Sequence, residues 1–183
     1  MFKIILIVLV CTVAAIVVFA TVENVTNQIV SSPGNSAIVS SDFITITISG
    51  EITRPGTYIV DIGATLQEAI KKASGTTSNA DPLSFNTEYI CSDGMSFYIA
   101  PIYDNGDTCA VTPISKVNIN DGNKEAIMGI PGIGDSTASA LIAYREGTAL
   151  FRRLEEIKNV PGIGEATFAK AKDHMRLRNA NKV

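Results

Sequence analysis

The feature that most constrains this chain is an internal repeat with a period of thirty residues near the C-terminus. Residues 125–137 read EAIMGIPGIGDST and residues 155–167 read EEIKNVPGIGEAT, so Glu, Ile, Pro-Gly-Ile-Gly and Thr recur in register. Two copies are too few for a solenoid, which needs about three or more stacked repeats to bury a continuous core. The repeat therefore predicts two supersecondary units packed face to face.

Each copy is predicted to form a short helix, a tight Pro-Gly-Ile-Gly hairpin and a second helix. In the first copy the helices cover 123–128 and 135–146, and in the second copy they cover 153–158 and the residues from Glu165 onward. Apolar residues recur at helical spacing in both second helices. They are Ala138, Leu141, Ile142, Phe168, Ala171 and Met175. Phe151 is predicted to pack between the two units.

The composition of the hairpin indicates an anion-binding turn. Its two glycines permit backbone angles that other residues resist, and they leave no side chain in front of the backbone. The hairpin opens a helix whose first N–H groups have no internal partner and carry partial positive charge, which favours a phosphate oxygen as ligand. The middle residue, Ile133 or Ile163, is predicted to anchor the turn in the core. Two such turns match the two strands of a duplex, and backbone donors contact phosphates rather than base edges, so sequence preference should be slight.

The charge distribution favours the same region for a polyanion. The whole chain has a net charge of −3, which by itself argues against a nucleic-acid binder. Residues 23–114 hold ten acidic and three basic residues, whereas residues 115–183 hold eleven basic and eight acidic residues. Both hairpins therefore lie in the one basic part of the chain.

An uncharged apolar segment lies at the N-terminus. Residues 4–20 read IILIVLVCTVAAIVVFA, with Lys3 before them and Glu23 after them. Residues 1–22 are long enough for a spanning helix, and positive charge on the N-terminal side places the N-terminus in the cytoplasm. A cleaved signal peptide is the alternative, and both interpretations place the remainder outside the cytoplasmic membrane. Residues 23–42 lack helical periodicity and are predicted to be a flexible spacer.

Residues 43–112 are predicted to form a small α+β domain. The stretch FITITISG at 43–50 alternates isoleucine with threonine, which is typical of a half-buried strand. Arg54-Pro55-Gly56 favours a turn, and a second short strand is predicted over 57–60.

The second half of this domain is predicted to contain a helix and two more strands. Thr65 and the glutamate three positions later fit a capping box at the start of the helix, and Gly75 fits its end. Strands over 89–91 and 95–99 are predicted to form a hairpin around Asp93-Gly94.

The cysteines do not indicate a metal site. Cys11 lies in the apolar N-terminal segment, and the chain has neither a CxxC spacing nor a His/Cys cluster. For a domain outside the cytoplasm, a disulfide between Cys91 and Cys109 is a hypothesis, and the alternative is two unpaired core residues.

These motifs resemble two known modules. ITISGEITRPGTYIV, the helix ending in Gly and SDGMSFYIAP resemble the SLBB domain, a β-grasp-like module. The stretch from Val117 to Leu177, with its opening Val-Asn-Ile-Asn, its Tyr-Arg-Glu and both hairpins, closely resembles the tandem helix-hairpin-helix domain of the ComEA family. The implied fold class is multidomain: a transmembrane helix, a small α+β SLBB domain and an all-α helix-hairpin-helix domain over 115–178.

The resemblance to the ComEA family implies a competence DNA receptor. Such receptors are anchored or exported, and this chain is expected to be a single-pass protein of the cell membrane with its C-terminal domains outside. It would bind double-stranded DNA without sequence specificity for uptake in natural transformation, and would pass it to DNA-uptake channel proteins. Self-association through the SLBB-like domain is a further expectation.

The residues predicted to contact DNA lie in the hairpins and just after them. They are Gly132, Ile133, Gly134, Ser136, Thr137, Gly162, Ile163, Gly164, Thr167 and Lys170. The family often has lysines just after each hairpin, whereas this chain has Ser136-Thr137 and Ala166-Thr167 there. Because hydroxyls release no counterions, we expect weaker binding and a shallower salt dependence. The other cations that could support binding are Lys172, Arg145, Arg152 and Arg153.

Two other classes of function compete with a DNA receptor. An enzyme is disfavoured because the chain has no nucleophile motif, no paired carboxylates at metal spacing and only one histidine, His174. We therefore predict no catalytic residue, no metal and no cofactor. An anchored envelope, adhesion or assembly module would act through the SLBB-like domain instead, and the acidic balance of residues 23–114 is compatible with it.

Overall fold

The computed structural model describes residues 43–104 and 112–179, and these fall within one compact unit. The predicted anchor over 1–22 and the predicted spacer over 23–42 lie outside the described residues. Within 43–104 and 112–179, no helix is long and apolar enough to cross a membrane.

A three-stranded sheet forms the first part of the unit. Strand β1 (Phe43–Gly50) lies in the centre, antiparallel to β2 (Gly56–Asp61) and parallel to β3 (Ser96–Ile99). The isoleucines of β1 are buried and its threonines are exposed, as the period-two pattern predicts. The turn between β1 and β2 is closed in part by the Tyr58 hydroxyl, which donates to the carbonyl of Arg54 at 2.5 Å.

Helix α1 (Leu66–Lys72) covers the inner face of this sheet. The predicted capping box is confirmed: the Glu68 N–H donates to Thr65 Oγ1, and the Thr65 N–H donates to Glu68 Oε2 at 2.8 Å. The helix ends as predicted before Gly75, whose N–H bonds back to the Ile70 carbonyl and whose φ is 86°. The apolar face of α1 joins the β1 isoleucines in one buried cluster.

The hairpin predicted around Asp93-Gly94 is wrong. Residues 95–99 do supply a strand, but β3 pairs in parallel with β1, and Ile90 makes only an isolated bridge with Thr65. The turn is used differently because its polar groups bind β1: Asp93 Oδ1 accepts the Thr45 N–H at 2.7 Å, and the Gly94 N–H donates to the Thr45 carbonyl.

Two short strand pairings and five helices complete the described chain. Strand β4 (Tyr103–Asp104) pairs with β5 (Thr112–Pro113), and β6 (Val117–Asn118) pairs in parallel with β7 (Met175–Arg176). The helices after α1 are α2 (Lys124–Met128), α3 (Asp135–Gly147), a 3₁₀ helix (Leu154–Asn159), α4 (Glu165–Ala171) and a 3₁₀ helix (Lys172–His174).

The repeat is confirmed as two helix–turn–helix units, with two corrections. The first helix of the second copy is a 3₁₀ helix rather than an α-helix. Met175 does not lie on the last helix, because the chain leaves α4 after Ala171 and enters β7 to pair with β6. Met175 is nevertheless fully buried, and Phe151 is buried and stacks on Tyr144 with ring centroids 5.3 Å apart.

Asn120 links the two copies, a role that the repeat does not reveal. Its Nδ2 donates to the carbonyls of Phe151 (2.8 Å) and Leu177 (3.1 Å), and its Oδ1 accepts the Phe151 N–H at 2.8 Å. The chain before the first copy, the segment between the copies and the C-terminal end are thereby joined through one side chain.

The helical part packs directly on the sheet part. Asp81, almost fully buried, pairs with Arg176 at 2.8 Å and lies 3.9 Å from the ammonium of Lys116. The Tyr98 hydroxyl donates to the carboxylate of Asp173. These contacts, and a core cluster in which Ala100 packs with the helical residues, tie the two parts together.

Candidate nucleic-acid interface

The two hairpins have nearly the same backbone. Gly132 and Gly162 have φ values of 85° and 90°, a region that favours glycine. Gly134 and Gly164 have φ values of −96° and −97° with extended ψ, which other residues adopt readily. Backbone conformation therefore requires glycine only at the first of the two positions in each hairpin. The sequence predicted that it would require glycine at both.

The second glycine of each hairpin leaves open space in front of the hairpin backbone. A Cβ placed on Gly134 or Gly164 meets nothing within 4 Å among the described residues. Both positions are exposed on the surface. A side chain there would fit the protein, but it would stand in front of the hairpin backbone and would keep an approaching molecule away from it.

The isoleucines anchor the hairpins, as predicted. Ile133 and Ile163 are each only 4% exposed and belong to the helical core. Their N–H groups donate to the carbonyls of Ile130 and Val160, each at 3.0 Å. The turns are therefore fixed in shape before any ligand arrives.

The helices that follow the hairpins begin without a side-chain cap. In α1 and α2 the side chains of Thr65 and Asn123 accept a backbone N–H of the first turn. Within the described residues, Gly134 and Gly164 are the N-cap residues of α3 and α4, and neither helix has a side-chain cap hydrogen bond. The first-turn N–H groups of a helix have no partner inside the helix, so an external acceptor can bind them.

Each hairpin packs against the second helix of the other copy. A Cβ on Gly132 would lie 3.7 Å from Thr167 Cγ2 and 3.6 Å from Lys170 Cβ, and a Cβ on Gly162 would lie 3.5 Å from Thr137 Oγ1. The threonines occupy equivalent repeat positions, so the arrangement is pseudo-symmetric. It brings the predicted residues Thr137, Thr167 and Lys170 next to the hairpins, and Ser136 lies exposed in the first turn of α3.

Two of the cations predicted to support binding hold the fold together. Arg145 Nη1 donates to the Ile119 carbonyl at 2.9 Å. Arg153 Nη1 donates to the Ser96 carbonyl at 3.1 Å, which joins the 3₁₀ helix to β3. Both guanidinium groups therefore already have acceptors within the protein.

Two more of these cations lie over aromatic rings. The Arg152 guanidinium is 5.1 Å from the centroid of the Tyr89 ring, and the Lys172 ammonium is 4.0 Å from that of Tyr98. Lys170 differs, because it is exposed and lies beside Gly132. Of the five cations proposed from the sequence, Lys170 is the one that the structure places at a hairpin.

Two lysines that the sequence analysis did not select lie at the hairpins. Lys124 Nζ is 2.7 Å from Asp135 Oδ1, and Lys158 Nζ is 3.0 Å from Glu165 Oε2. Asp135 and Glu165 directly follow Gly134 and Gly164. The repeat contained the signal for the carboxylates only, because GIGD and GIGE place an acidic residue at the same position after each hairpin, whereas the lysines do not recur in register.

Strongly perturbed ionisable groups lie away from the hairpin tips, at the contact between the sheet and helical parts. Burial raises the pKa of Glu155 to about 7, against the opposing effects of nearby backbone N–H groups, Arg153 and Lys158. Burial lowers the pKa of Lys116, although Asp81 opposes the shift. Neither group belongs to the hairpins themselves, which are residues 131–134 and 161–164.

The structure describes one of the two cysteines of the predicted disulfide. Cys91 is buried and has no disulfide partner among the described residues, and burial raises the pKa of its thiol. Cys109 lies outside the described residues, so the predicted bridge stays a prediction. Within the described part of the chain, no group of three or more His, Cys, Asp or Glu residues could hold a metal ion. His174 lies in a 3₁₀ helix with its Nδ1 3.2 Å from the Ser115 carbonyl.

The fold and the two hairpins define a protein that joins an SLBB domain to a pair of helix-hairpin-helix units. Comparison with known families matches residues 45–100 to the SLBB domain and residues 112–176 to the helix-hairpin-helix motif. ComE operon protein 1 of Bacillus subtilis is 35% identical over 161 residues, which cover 83% of this chain and 78% of that protein. The chain belongs to the ComEA family.

Two other relatives share a shorter stretch with this chain. An uncharacterized protein of Haemophilus influenzae is 38% identical over 61 residues, covering 33% of this chain and 54% of that protein. Endonuclease/exonuclease/phosphatase family domain-containing protein 1 of Xenopus laevis is 32% identical over 57 residues, covering 31% of this chain and 10% of that protein. So small a share of the Xenopus protein carries no inference of enzymatic activity.

Proposed function

We propose that this protein is a membrane-anchored receptor that binds double-stranded DNA without sequence specificity and supports DNA uptake in natural transformation. The observation that carries the proposal is the pair of exposed hairpins, each with an open glycine, Gly134 or Gly164, in front of an uncapped helix. Membership of the ComEA family and the helix-hairpin-helix match support it.

The chemistry of the hairpins favours phosphate over base edges as the ligand. Backbone N–H groups are the donors, and such donors distinguish poorly between base pairs. The two hairpins are related by pseudo-symmetry, so they suit phosphates on the two strands of a duplex. The proposed receptor therefore binds the phosphate backbone of DNA and does not distinguish between base sequences.

The remaining parts of the proposal concern placement and partners. Residues 1–22 would anchor the chain with its C-terminal domains outside the cell membrane, and residues 23–42 would space them from the lipid. Bound DNA would then be passed to separate DNA-uptake channel proteins. The SLBB domain would mediate self-association, which would place several receptors along one duplex.

The test uses hairpin variants of the full chain in mild detergent. Gly134→Leu and Gly164→Leu should leave the fold intact, because each position has extended backbone and open space, and a changed N-cap costs no more than about 1 kcal/mol. Each variant should weaken binding to a labelled duplex by roughly 10–100-fold, since a lost charge-assisted hydrogen bond costs about 1.5–3 kcal/mol. Fluorescence anisotropy with two unrelated duplex sequences measures both affinity and sequence preference.

Gly56→Leu is the matched control. Gly56 also has open space and no positive φ, but it lies on β2, away from the hairpins. The control should bind DNA like the unaltered chain. Normal binding by both hairpin variants, or no binding by the unaltered chain at low salt, would contradict the proposal and would direct attention to the SLBB domain.

The proposed location has a separate test. A protease added to intact cells should remove a C-terminal epitope tag, while the same protease should leave a cytoplasmic marker protein intact. Deletion of the gene should lower the yield of transformants, and the Gly134→Leu chain should fail to restore it. A tag protected from the protease until the cells are lysed would contradict an outward-facing receptor.

A further inference from the structure

At each hairpin, a lysine that precedes the turn forms an ion pair with the carboxylate that directly follows it. Lys124 pairs with Asp135 at 2.7 Å, and Lys158 pairs with Glu165 at 3.0 Å. The lysine side chains are about one third exposed, and the carboxylate side chains are 70% and 76% exposed. A large anion at the hairpin can therefore reach both members of each pair.

The two ion pairs do not follow from the repeat alone. The carboxylates recur at equivalent positions, but the lysines do not: Leu154 lies one repeat period after Lys124, and Met128 lies one period before Lys158. Lys124 opens α2, whereas Lys158 lies near the end of the 3₁₀ helix. The same ion pair is thus formed at both hairpins from different places in the fold.

These pairs are weak enough to exchange partners. Ion pairs between exposed side chains contribute little to stability, because both groups are well solvated when apart. Lys124 can turn from its carboxylate to a phosphate with little cost. Lys158 also lies over the Phe168 ring, 5.3 Å from its centroid, and would give up part of that contact as it turns. In both cases the carboxylate stays in water. The carboxylate then lies near the phosphate and repels it.

We infer that Lys124 and Lys158 are phosphate-binding cations of the two hairpins, and that Asp135 and Glu165 hold these lysines in the free protein and limit its affinity for DNA. This inference rests on the proposed DNA-binding function. It gives Lys124 and Lys158 the role of the lysines that the family often has just after each hairpin and that this chain lacks there. The limited affinity suits a receptor that must release DNA to another protein.

The lysines and the carboxylates have different effects on binding. Each lysine that meets a phosphate releases counterions from the DNA, so its removal makes the dependence of log K on log salt shallower by about 0.9. A carboxylate releases no counterions from DNA, and its removal raises affinity with little change in slope. Salt titration therefore separates the two roles.

The experiment titrates a labelled duplex with the full chain in mild detergent between about 50 and 200 mM salt. Lys124→Ala/Lys158→Ala should bind more weakly, with a slope shallower by about 2. Asp135→Asn/Glu165→Gln should bind about tenfold more tightly at low salt, with an almost unchanged slope. Lys71→Ala, which changes an exposed lysine on α1, is the control and should alter neither quantity.

The possible outcomes separate this inference from the proposed function. An unchanged slope in the lysine variant, while Gly134→Leu still weakens binding, would overturn the role of the lysines and leave the receptor function standing. Weaker binding by the carboxylate variant would overturn the limiting role of Asp135 and Glu165. No binding by the unaltered chain would overturn both proposals. Thermal unfolding of each variant checks that it is folded.

Discussion

Replacement of Glu155 by glutamine tests how the helical part docks on the sheet. Glu155 lies in the 3₁₀ helix just before the second hairpin and is 6% exposed. Its Oε1 has no hydrogen-bond partner among the described residues. Burial raises its pKa to about 7 from 4.5. The folded state thus favours the protonated carboxyl, and Glu155→Gln keeps a neutral group of the same shape.

The size and the sign of the effect follow from this pKa. Between about pH 4.5 and 7 the folded state binds more protons than the unfolded state, so the contribution of Glu155 to stability falls as the pH rises. One pKa unit corresponds to about 1.36 kcal/mol, so the ionised carboxylate costs about 3 kcal/mol above pH 7. Glu155→Gln should therefore raise the free energy of unfolding by up to about 3 kcal/mol at pH 8 and should change it little at pH 4.

Urea denaturation of the unaltered protein and of Glu155→Gln at a series of pH values measures this difference in the free energy of unfolding. Glu125→Gln is the control, because Glu125 is an exposed carboxylate in the first turn of α2. It should change the free energy of unfolding by less than about 0.5 kcal/mol at every pH. A stabilisation by Glu155→Gln that is equal at pH 4 and pH 8 would refute the argument from a buried, partly protonated carboxyl.

Three further substitutions test the framework of the hairpins. Asp81→Asn leaves Lys116 and Arg176 without their carboxylate, so the free energy of unfolding in urea should fall by about 3–5 kcal/mol, and Lys116→Met in the same chain should restore part of it. A change below 1 kcal/mol would contradict the assigned ion cluster. Asn120→Ala removes three hydrogen bonds and should cost about 2–4 kcal/mol by the same measurement; retention of full stability would show that the copies are joined elsewhere. Gly132→Ala forces a side chain to φ 85° and should cost about 1–2 kcal/mol in thermal unfolding, and an unchanged melting temperature would refute that requirement.

The elements that the sequence predicted correctly depend on neighbouring residues. The alternating strand β1, the capping box at Thr65 and the two hairpins each have their whole pattern within a few consecutive positions. The errors concern pairing over long distances. The Asp93-Gly94 turn binds β1 from 48 residues away, and Met175 enters a strand because β6 pairs with it. Local patterns cannot distinguish such pairings from a hairpin or from a longer helix.

In the candidate site, too, the features set by neighbouring residues were predictable and those set by distant contacts were not. The buried isoleucines and the positive φ of Gly132 and Gly162 follow from the hairpin motif itself. The roles of the cations do not, because Arg153 binds a carbonyl of β3 and Lys124 binds a carboxylate beyond the hairpin. A count of basic residues therefore overestimates the charge that is available to DNA, since it includes arginines that hold the fold together.

The docking of the two parts bears on how the proposed receptor would work. The sequence separates the SLBB-like domain from the helical domain near residues 112–115, yet Asp81 binds Arg176 across that division and Ala100 lies in the helical core. Because a buried carboxylate is costly to leave without its partner, the helical part is held in one orientation on the sheet. In the proposed receptor, the freedom to meet DNA would then come from the predicted spacer over 23–42 and not from this contact. The hairpins keep a fixed direction relative to the SLBB domain, so any self-association of that domain would also align the hairpins of neighbouring receptors.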